Sequence, residues 1–272
     1  MSARYAVIAG NGRFPLLALE QARKLGHEVI AVGIREEASP EIETLAARCY
    51  WISLGQLGRL IEILKQEGVN EVVMAGQVKH TSIFSGIRPD WRMVKMLAGL
   101  REKNTDALIG AVVRELAEEG IRVSDSTALL KPLLASEGVM TRRKPDRDEL
   151  ADIEYGRRIA GALAALDVGQ SVAVAERACV AVEAMEGTDA MLRRAAQLVN
   201  GRPLRLVKVS RRRKHLLFDV PVVGAGTIPV MIETGTTALA VDAGRTLMLD
   251  REEMLRAADA AGIAIVGYPP EE

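Results

Sequence analysis

The stretch Tyr5-Ala6-Val7-Ile8-Ala9-Gly10-Asn11-Gly12-Arg13-Phe14-Pro15 passes from an apolar run through a glycine turn to a proline. An apolar run that ends at a turn, as Tyr5 to Ala9 does, predicts a buried β-strand. Pro15 favours the start of a helix, because the N–H that proline lacks has no partner in a first helical turn. We therefore predict a strand, a turn and a helix that stops at Gly26.

The same alternation of strand and helix continues through the first half of the chain. Further strands are predicted at Glu28 to Gly33, Cys49 to Ile52, Glu71 to Ala75 and Ile121 to Val123, and helices at Glu41 to Arg48, Gly55 to Gly68, Trp91 to Leu100 and Asp106 to Glu119. Strands that are separated by helices form right-handed crossovers in a parallel sheet. Residues 1–134 are therefore predicted to form a Rossmann-like domain that binds a nucleotide or a phosphate.

The second half of the chain has a different pattern. Residues 135–148 contain Gly138, Pro145 and a cationic run, which is typical of an interdomain linker. Helices are predicted at Glu149 to Leu166, Asp189 to Asn200, Thr227 to Thr234 and Arg251 to Ala261, and strands at Ser171 to Ala175, Ala178 to Val182, Leu204 to Val209, Ala238 to Val241, Thr246 to Leu249 and Ile263 to Val266. Residues 149–272 are therefore predicted to form a mixed α/β catalytic domain.

The composition argues against a dedicated nucleic-acid binder. Of the 272 residues, 36 are Lys or Arg and 36 are Asp or Glu, and only 3% are aromatic, so both basic surface and stacking platforms are scarce.

Cys49 and Cys179 lie far apart in apolar runs, which favours a reducing cytosol over a disulfide scaffold. No signal peptide or membrane-spanning run is visible, so we expect a cytoplasmic protein. The sequence leaves open peripheral contact with the inner membrane and assembly as a homodimer.

Three carboxylates, Glu183, Glu186 and Asp189, crowd into the turn between a predicted strand and a predicted helix. Acids at this spacing repel one another unless a cation or a shared proton relieves the repulsion. Thr188 or Asp189 is also a suitable N-cap, and capping alone would explain an ordinary turn of this kind. We interpret the turn as a catalytic segment in which Thr188 contacts substrate.

Groups suited to phosphate follow several strands of the first half. Gly10 and Gly12 follow the first strand, where backbone N–H groups and a helix dipole favour an anion. Lys79 follows the fourth strand and Asp125 the fifth, at the sheet edge where ligands bind. Glu36-Glu37 stands near the position of a ribose-binding acid, but the nicotinamide fingerprint lacks its third glycine. We predict a nucleotide or phosphate site, with an ordinary turn and a basic loop as the alternative.

A cationic run and an isolated acid complete the second half. Lys208 opens the run, and Asp219 follows it among apolar residues, where a buried acid would need partners. Carboxylates that hold Mg²⁺ among cations suit phosphoryl chemistry, because the metal neutralises phosphate charge and positions the attacking water. We assign catalysis to Asp189, Asp219 and Glu183, Mg²⁺ binding to Asp189 and Asp219, and charge balance at a phosphate to Lys79 and Lys208.

Two segments carry a family resemblance: Leu166-Asp167-Val168-Gly169-Gln170 and Glu186-Gly187-Thr188-Asp189-Ala190-Met191. Supporting segments are Ala9 to Pro15, Leu54 to Gly58, Val73 to Gly76, Phe218 to Pro221 and Ala258 to Gly262. Together they resemble the UDP-2,3-diacylglucosamine pyrophosphatase family of lipid A biosynthesis. The resemblance implies Mg²⁺-assisted hydrolysis of this lipid-linked UDP-sugar to UMP and 2,3-diacylglucosamine 1-phosphate. It also implies two α/β domains that hold the lipid product between them.

The chain departs from this family in one loop. Family members read Lys-Pro-Gly-Gln-Asp-x-Arg-x-Asp-x-Pro; here Lys214-His215 replaces Gln-Asp and Leu217 replaces Arg, while Asp219 and Pro221 remain. His215 can act as a base but is a poorer ligand for a hard cation than Asp. The alternative hypothesis is a catalytically altered or silent relative that binds a sugar nucleotide or a lipid phosphate. A third hypothesis, based on the glycine turn alone, is a nicotinamide-dependent oxidoreductase.

Overall fold

The computed structural model describes residues 5–76, 78, 89–100, 105–125, 129–211 and 220–270, except the side chains of residues 105 and 106. The chain divides into two compact units, Met1–Leu130 and Lys131–Glu272. The first has a parallel sheet and the second a mixed sheet, so the predicted fold class is confirmed. Within the described ranges, no helix combines the length and the apolar character that a bilayer-spanning segment requires.

The first unit is built on a five-stranded sheet. Its strands are β1 (Tyr5–Ala9), β2 (Val29–Ile34), β3 (Arg48–Ile52), β4 (Glu71–Ala75) and β5 (Arg122–Ser124), and its helices are α1 (Phe14–Lys24), α2 (Ile42–Leu45), α3 (Leu57–Gln66), α4 (Trp91–Ala98) and α5 (Thr105–Glu118). All pairs are parallel, in the order β3-β2-β1-β4-β5. The winding reverses between β1 and β4, and ligands of such sheets bind at the carboxyl ends of the strands at this point.

Strand β1 shows why this sequence forms a three-layer structure. Ala6 and Ile8 pack in the core that contains α3, whereas Val7 and Ala9 pack in the core that contains α1. Alternate side chains of a strand point to opposite faces of its sheet. Because both sets are apolar, both faces of the sheet are covered by helices, as in other parallel sheets.

The second unit is built on a six-stranded sheet in the order β6-β13-β11-β9-β7-β8. Its strands are β6 (Gly138–Val139), β7 (Ser171–Ala175), β8 (Ala178–Val182), β9 (Leu204–Lys208), β11 (Thr236–Asp242) and β13 (Ala264–Tyr268); β10 (Val222–Gly224) and β12 (Leu247–Leu249) pair separately. Its α-helices are α6 (Arg147–Ala165), α7 (Thr188–Leu198), α8 (Thr227–Glu233) and α9 (Arg251–Ala260). Strands β9, β11 and β13 are parallel, whereas β6, β7 and β8 run antiparallel to their neighbours.

The residues expected to form a linker, 135–148, belong to the second unit. Gly138 and Val139 form the edge strand β6, which pairs with β13. Gly138 has a φ of +87°, a conformation that favours glycine. Gly267 opposite it is required because a Cβ there would lie 2.0 Å from the carbonyl oxygen of Ser136. Gly138, which is typical of a linker, therefore belongs to a sheet edge here.

Arg143, in the same segment, is held by the buried carboxylate of Glu149. Its Nη1 and Nη2 donate to the two Glu149 oxygens at 2.7 and 2.8 Å, and Thr237 Oγ1 donates at 2.5 Å. Burial acts to raise the pKa of Glu149, but hydrogen bonds from Arg143 and Thr237 bring this pKa below its ordinary value. The pair ties the start of α6 to the sheet.

We expect Glu149→Gln to lower the free energy of unfolding by about 1–3 kcal/mol, because Arg143 loses its ionised partner. A carboxyl whose pKa is lowered by folding stabilises the protein above its unfolded pKa, ordinarily 4.5, and this contribution disappears as the pH falls through the lower folded value. Thermal unfolding from about pH 7 to about pH 3 should therefore show the wild type and the variant converging in acid. The exposed Glu154 of the same helix provides the control, Glu154→Gln. A difference in melting temperature that does not change with pH would contradict this assignment.

Candidate functional site

Three segments of the second unit meet at the open end of the β7–β8 hairpin. The Glu183 N–H donates to the Ser171 carbonyl oxygen, and the Val209 N–H donates to the Gln170 carbonyl oxygen, both at 2.9 Å. The amino end of β7 therefore lies between the carboxyl ends of β8 and β9. This places the segment 166–170 next to the acidic turn and next to the start of the cationic run.

Gly169 is the point of closest approach between these segments. A Cβ at this position would lie 1.8 Å from the carbonyl oxygen of Glu183, far inside van der Waals contact. Only glycine fits there without a shift of the backbone. The two segments that are most specific in the sequence, 166–170 and 186–191, thus form one local structure through the backbone at Glu183.

Thr188 links an acid and a base within this structure. Lys208 Nζ donates to Thr188 Oγ1 at 2.8 Å, and Thr188 Oγ1 donates to Glu183 Oε1 at 2.9 Å. Because an ammonium group can only donate, the threonine proton is directed towards the carboxylate. Lys208 and Glu183 are only 11% and 13% exposed, so water screens their charges less than at the surface. The structure thus brings together three predicted site residues.

The second carboxylate oxygen of Glu183 has no hydrogen-bond donor among the residues that the structure describes. Glu183 Oε2 is buried, accepts no hydrogen bond within the part of the chain that the structure describes, and lies 3.8 Å from Lys208 Nζ. A buried acceptor without a donor costs about 1–3 kcal/mol, so such atoms usually have a functional partner, an ion or a water. Oε2 is therefore the atom of this cluster that is suited to a bound hydroxyl, water or cation.

The N-cap prediction for α7 is wrong. Gly187, with a φ of 85°, is the N-cap, and none of the described side chains caps this helix. Thr188 is the first helical residue, and its hydroxyl is instead engaged by Lys208 and Glu183. Asp189 is in the first turn and is exposed. The helix N-terminus is therefore not blocked by a capping side chain and favours negative charge.

The acidic turn lines a cleft of about 290 Å³. Its walls are formed by Glu186, Gly187, Thr188, Asp189, Val222, Val223 and Thr227. One wall is therefore polar, and the wall from β10, a strand that the sequence did not predict, is apolar. Asp219 precedes β10 by a few positions in the sequence but lies outside the described residues.

Glu186 is separated electrostatically from the other two acids. Its carboxylate accepts from the Ala184 N–H at 3.0 Å and from Arg194 Nη2 at 2.6 Å. Hydrogen bonds from backbone N–H groups, including its own, and from Arg194 lower the pKa of Glu186. Glu186 and Glu183 therefore have separate hydrogen-bond partners, Arg194 and Thr188. Within the described ranges, no group of three His, Cys, Asp or Glu residues is placed to hold a metal.

Sequence reasoning missed one buried acid near this site. Asp242 ends β11, and its carboxylate accepts hydrogen bonds from Arg157 and Ser210. The sequence carries a signal for it, because an Asp directly follows the apolar run Ala238 to Val241. The same signal singled out Asp219.

In the first unit, Gly10 and Gly12 lie where β1 ends, beside Gly76 at the end of β4. The Gly10 N–H donates to the Ala75 carbonyl oxygen at 2.8 Å. Gly76 has a φ of +88°, and a Cβ there would lie 2.5 Å from the Asn11 carbonyl oxygen. These glycines therefore bring two backbones together at the switch point of the sheet, where doubly wound folds bind ligands.

The structure describes some, but not all, of the other residues predicted to bind a nucleotide or a phosphate in the first unit. Asp125 follows β5 and is partly buried, and Lys79 lies outside the described residues. Glu37 accepts from Asn11 Nδ2 at 3.3 Å, and Glu36 accepts from a backbone N–H after β3 at 3.1 Å. Both acids thus have partners within the protein, which weakens the case for a ribose-binding acid.

Comparison with known proteins covers nearly the whole chain. Residues 4–133 match the LpxI N-terminal domain family, and residues 136–266 match the LpxI C-terminal domain family. A protein of Caulobacter vibrioides described as UDP-2,3-diacylglucosamine pyrophosphatase LpxI is 31% identical over 279 residues, which cover 99% of each chain.

Solved structures show weaker likenesses. A nucleoside-diphosphate-sugar epimerase from Pseudomonas aeruginosa is 12% identical with a TM-score of 0.29, and the match covers 44% of this chain and 32% of that one. A UDP-glucose-4-epimerase from Stenotrophomonas maltophila is 13% identical with a TM-score of 0.27, over 44% of this chain and 34% of that one. Likenesses at this level carry no argument about function.

Proposed function

The chain belongs to the LpxI family, which confirms the resemblance read from its sequence, and from this premise we propose that it hydrolyses the diphosphate bond of UDP-2,3-diacylglucosamine. The products are UMP and 2,3-diacylglucosamine 1-phosphate, as a step in lipid A biosynthesis. One observation carries the proposal. The two family-specific segments meet at Gly169 and build the Glu183–Thr188–Lys208 cluster at the same turn that lines the cleft.

In the proposed reaction, this cluster orients water and balances charge. Glu183 Oε2 accepts a hydrogen bond from the attacking water, because it is a buried acceptor with no donor among the described residues. Thr188 holds the other carboxylate oxygen and so fixes the plane of the carboxylate. Lys208 supplies positive charge near the phosphate, where a site poorly exposed to water strengthens the attraction.

The donor set of the cleft fits Mg²⁺. This ion prefers oxygen ligands and is commonly held by one or two carboxylates together with waters and substrate phosphate, so a preformed three-acid group is not required. Asp189 lines the cleft next to Thr188, and Glu183 Oε2, which has no donor among the described residues, is a further oxygen that supports this assignment. We propose Asp189 and Asp219 as the protein ligands. When bound, Mg²⁺ neutralises charge on the diphosphate.

We assign the nucleotide or phosphate end of the substrate to Gly10 and Gly12 in the first unit, with Lys79 and Asp125 as further contacts. Backbone N–H groups at a helix N-terminus suit a phosphate, and α1 has no side-chain cap in the part of the chain that the structure describes. Because the proposed substrate carries two acyl chains, we place the enzyme in the cytoplasm in peripheral contact with the inner membrane.

The protein is also proposed to form a homodimer, and light scattering of the purified protein tests this hypothesis directly.

We expect the purified protein with Mg²⁺ to release UMP from UDP-2,3-diacylglucosamine, and excess chelator to stop the reaction. Liquid chromatography with mass spectrometry measures both products. The control substrate is UDP-N-acetylglucosamine, which has the same diphosphate but no long acyl chains. Absence of UMP with Mg²⁺, Mn²⁺ and Co²⁺ from acid to alkaline pH would overturn the proposal. Tight substrate binding by calorimetry without turnover would then select the silent relative.

A further inference from the structure

Asp242 is a buried acid, and both of its carboxylate oxygens accept hydrogen bonds. It is 2% exposed and ends β11, which lies between β9 and β13 in the sheet. Its Oδ1 accepts from Arg157 Nη1 at 3.0 Å, and its Oδ2 accepts from both the N–H and the Oγ–H of Ser210, at 2.7 and 2.8 Å. Hydrogen bonds to an ionised acceptor are short and strong. The backbone and the side chain of Ser210 are therefore fixed to one carboxylate.

Arg157 holds this carboxylate from the other side. Its Nη2 donates to the Pro269 carbonyl oxygen at 2.8 Å, and its guanidinium lies 4.8 Å from the centre of the Tyr268 ring. A planar guanidinium with these contacts has little freedom to move. Asp242 is consequently a rigid anchor and not an adaptable surface acid.

Asp242 lies at the same end of the sheet as the proposed site, where the parallel strands β9 and β11 terminate. In the pairing of β11 with β9, Val241 lies opposite Lys208, so Asp242 is one residue beyond the partner of the site lysine. Ser210 follows Lys208 by two positions and precedes the segment that leads to Asp219. The direction in which the chain leaves β9 is thus set by Asp242.

We propose that Asp242 is a positioning residue of the proposed hydrolase, and this inference rests on the proposed function. It acts through Ser210: it holds the end of β9 so that Lys208 keeps its hydrogen bond to Thr188. Asp242 itself touches no reacting atom. Its removal should therefore lower kcat through misplacement of groups and change KM less.

Asp152, a buried acid of helix α6 in the same unit, offers a matched control. It is also 2% exposed, accepts from the N–H groups of Glu176 and Arg177 at 3.2 and 2.6 Å, and pairs with Arg205 at 3.4 Å. These bonds hold the turn of the β7–β8 hairpin, at the other end of β7 from Ser171. Asp152 and Asp242 thus have similar structural roles, but only Asp242 is next to the proposed site.

The test compares Asp242→Asn with Asp152→Asn at a temperature where circular dichroism shows both folded. We expect Asp242→Asn to lower kcat by about 10- to 100-fold, as is typical when a group that orients a functional residue is removed. Asp152→Asn should lower the melting temperature but keep kcat within about twofold, because the hairpin turn lies about 17 Å from the site along β7.

Ser210→Ala removes the hydroxyl bond to Asp242 and leaves the backbone bond. This variant should cost about fivefold in kcat with little loss of melting temperature. Equal losses of kcat in the two Asp variants, or a kcat unchanged in Asp242→Asn, would overturn the proposal.

Limited digestion with trypsin provides a readout that needs no turnover. The cationic run from Arg211 to Lys214 starts directly after Ser210. Peptide mapping should show faster cleavage in this run for Asp242→Asn and Ser210→Ala, and faster cleavage after Arg177 for Asp152→Asn. Unchanged cleavage in Asp242→Asn would overturn the anchoring role. If the wild-type protein releases no UMP, the proposed function fails by itself, and the trypsin result alone then decides for or against the anchor.

Discussion

Asp189→Asn is expected to lower the rate of UMP release by about 100- to 1,000-fold, the scale of loss when one charge-stabilising group leaves an active site. The substitution keeps the size of the side chain and removes the charge that faces the cleft in the first turn of α7. If Asp189 binds Mg²⁺, the Mg²⁺ concentration that gives half the maximal rate should also rise. Initial rates measured over a Mg²⁺ series give both quantities.

The control for this substitution is Glu252→Gln. Glu252 is also an exposed acid in the first turn of a helix, α9, but it does not line the cleft. Either change removes a favourable charge from a helix N-terminus, which costs about 0.3–1 kcal/mol. Small losses of stability in both variants, with a loss of activity only in Asp189→Asn, would support the assignment. A rate within about fivefold of wild type in Asp189→Asn would remove Asp189 from the site.

Gly169→Ala is expected to damage both stability and activity. The added methyl would lie 1.8 Å from the Glu183 carbonyl oxygen, so one of the two backbones must move. Overpacking of this kind costs about 1–3 kcal/mol, and a displacement of Glu183 by about 1 Å would cost about 100-fold in rate. Denaturant unfolding and UMP release measure the two effects.

Gly226→Ala is the matched control for stability in the same unit. Gly226 has a φ of −66°, and a Cβ there would meet no atom of the described residues within 4 Å. Its replacement should change stability by less than about 1 kcal/mol, because the unfolded chain loses freedom while Ala is a poorer N-cap of α8 than Gly. Equal behaviour of the two alanine variants would show that the contact at Gly169 does not constrain the site.

Most elements of this fold can be predicted because their signals are local. The apolar runs Tyr5 to Ala9 and Glu71 to Ala75 form strands with the predicted ends, and so do both strands of the hairpin that begins at Ser171. The strands β6 and β10 are not predicted, since two or three residues carry no periodicity. β6 pairs with the longer strand β13, and β10 pairs with β12, which is equally short, so both depend on partners distant in the sequence.

Residue chemistry identified much of the candidate site but not its contacts. Glu183, Thr188 and Lys208 were selected for their charge and position, and they do lie together. The sequence did not show that Glu186 pairs with Arg194, or that Thr188 bonds to its neighbours and does not cap α7. A side chain with several local options takes the one that the surrounding fold offers, and that choice depends on residues distant in the sequence.

The sequence by itself determined the two α/β halves and the family, because periodicity, glycine turns and short motifs are properties of neighbouring residues. Only the tertiary structure decided that segment 166–170 contacts the acidic turn, that one oxygen of Glu183 has no donor among the described residues, and that Asp242 anchors Ser210. Each of these depends on strand order and register, which join residues up to dozens of positions apart. Contacts of that kind follow from how whole elements pack, and no local pattern encodes them.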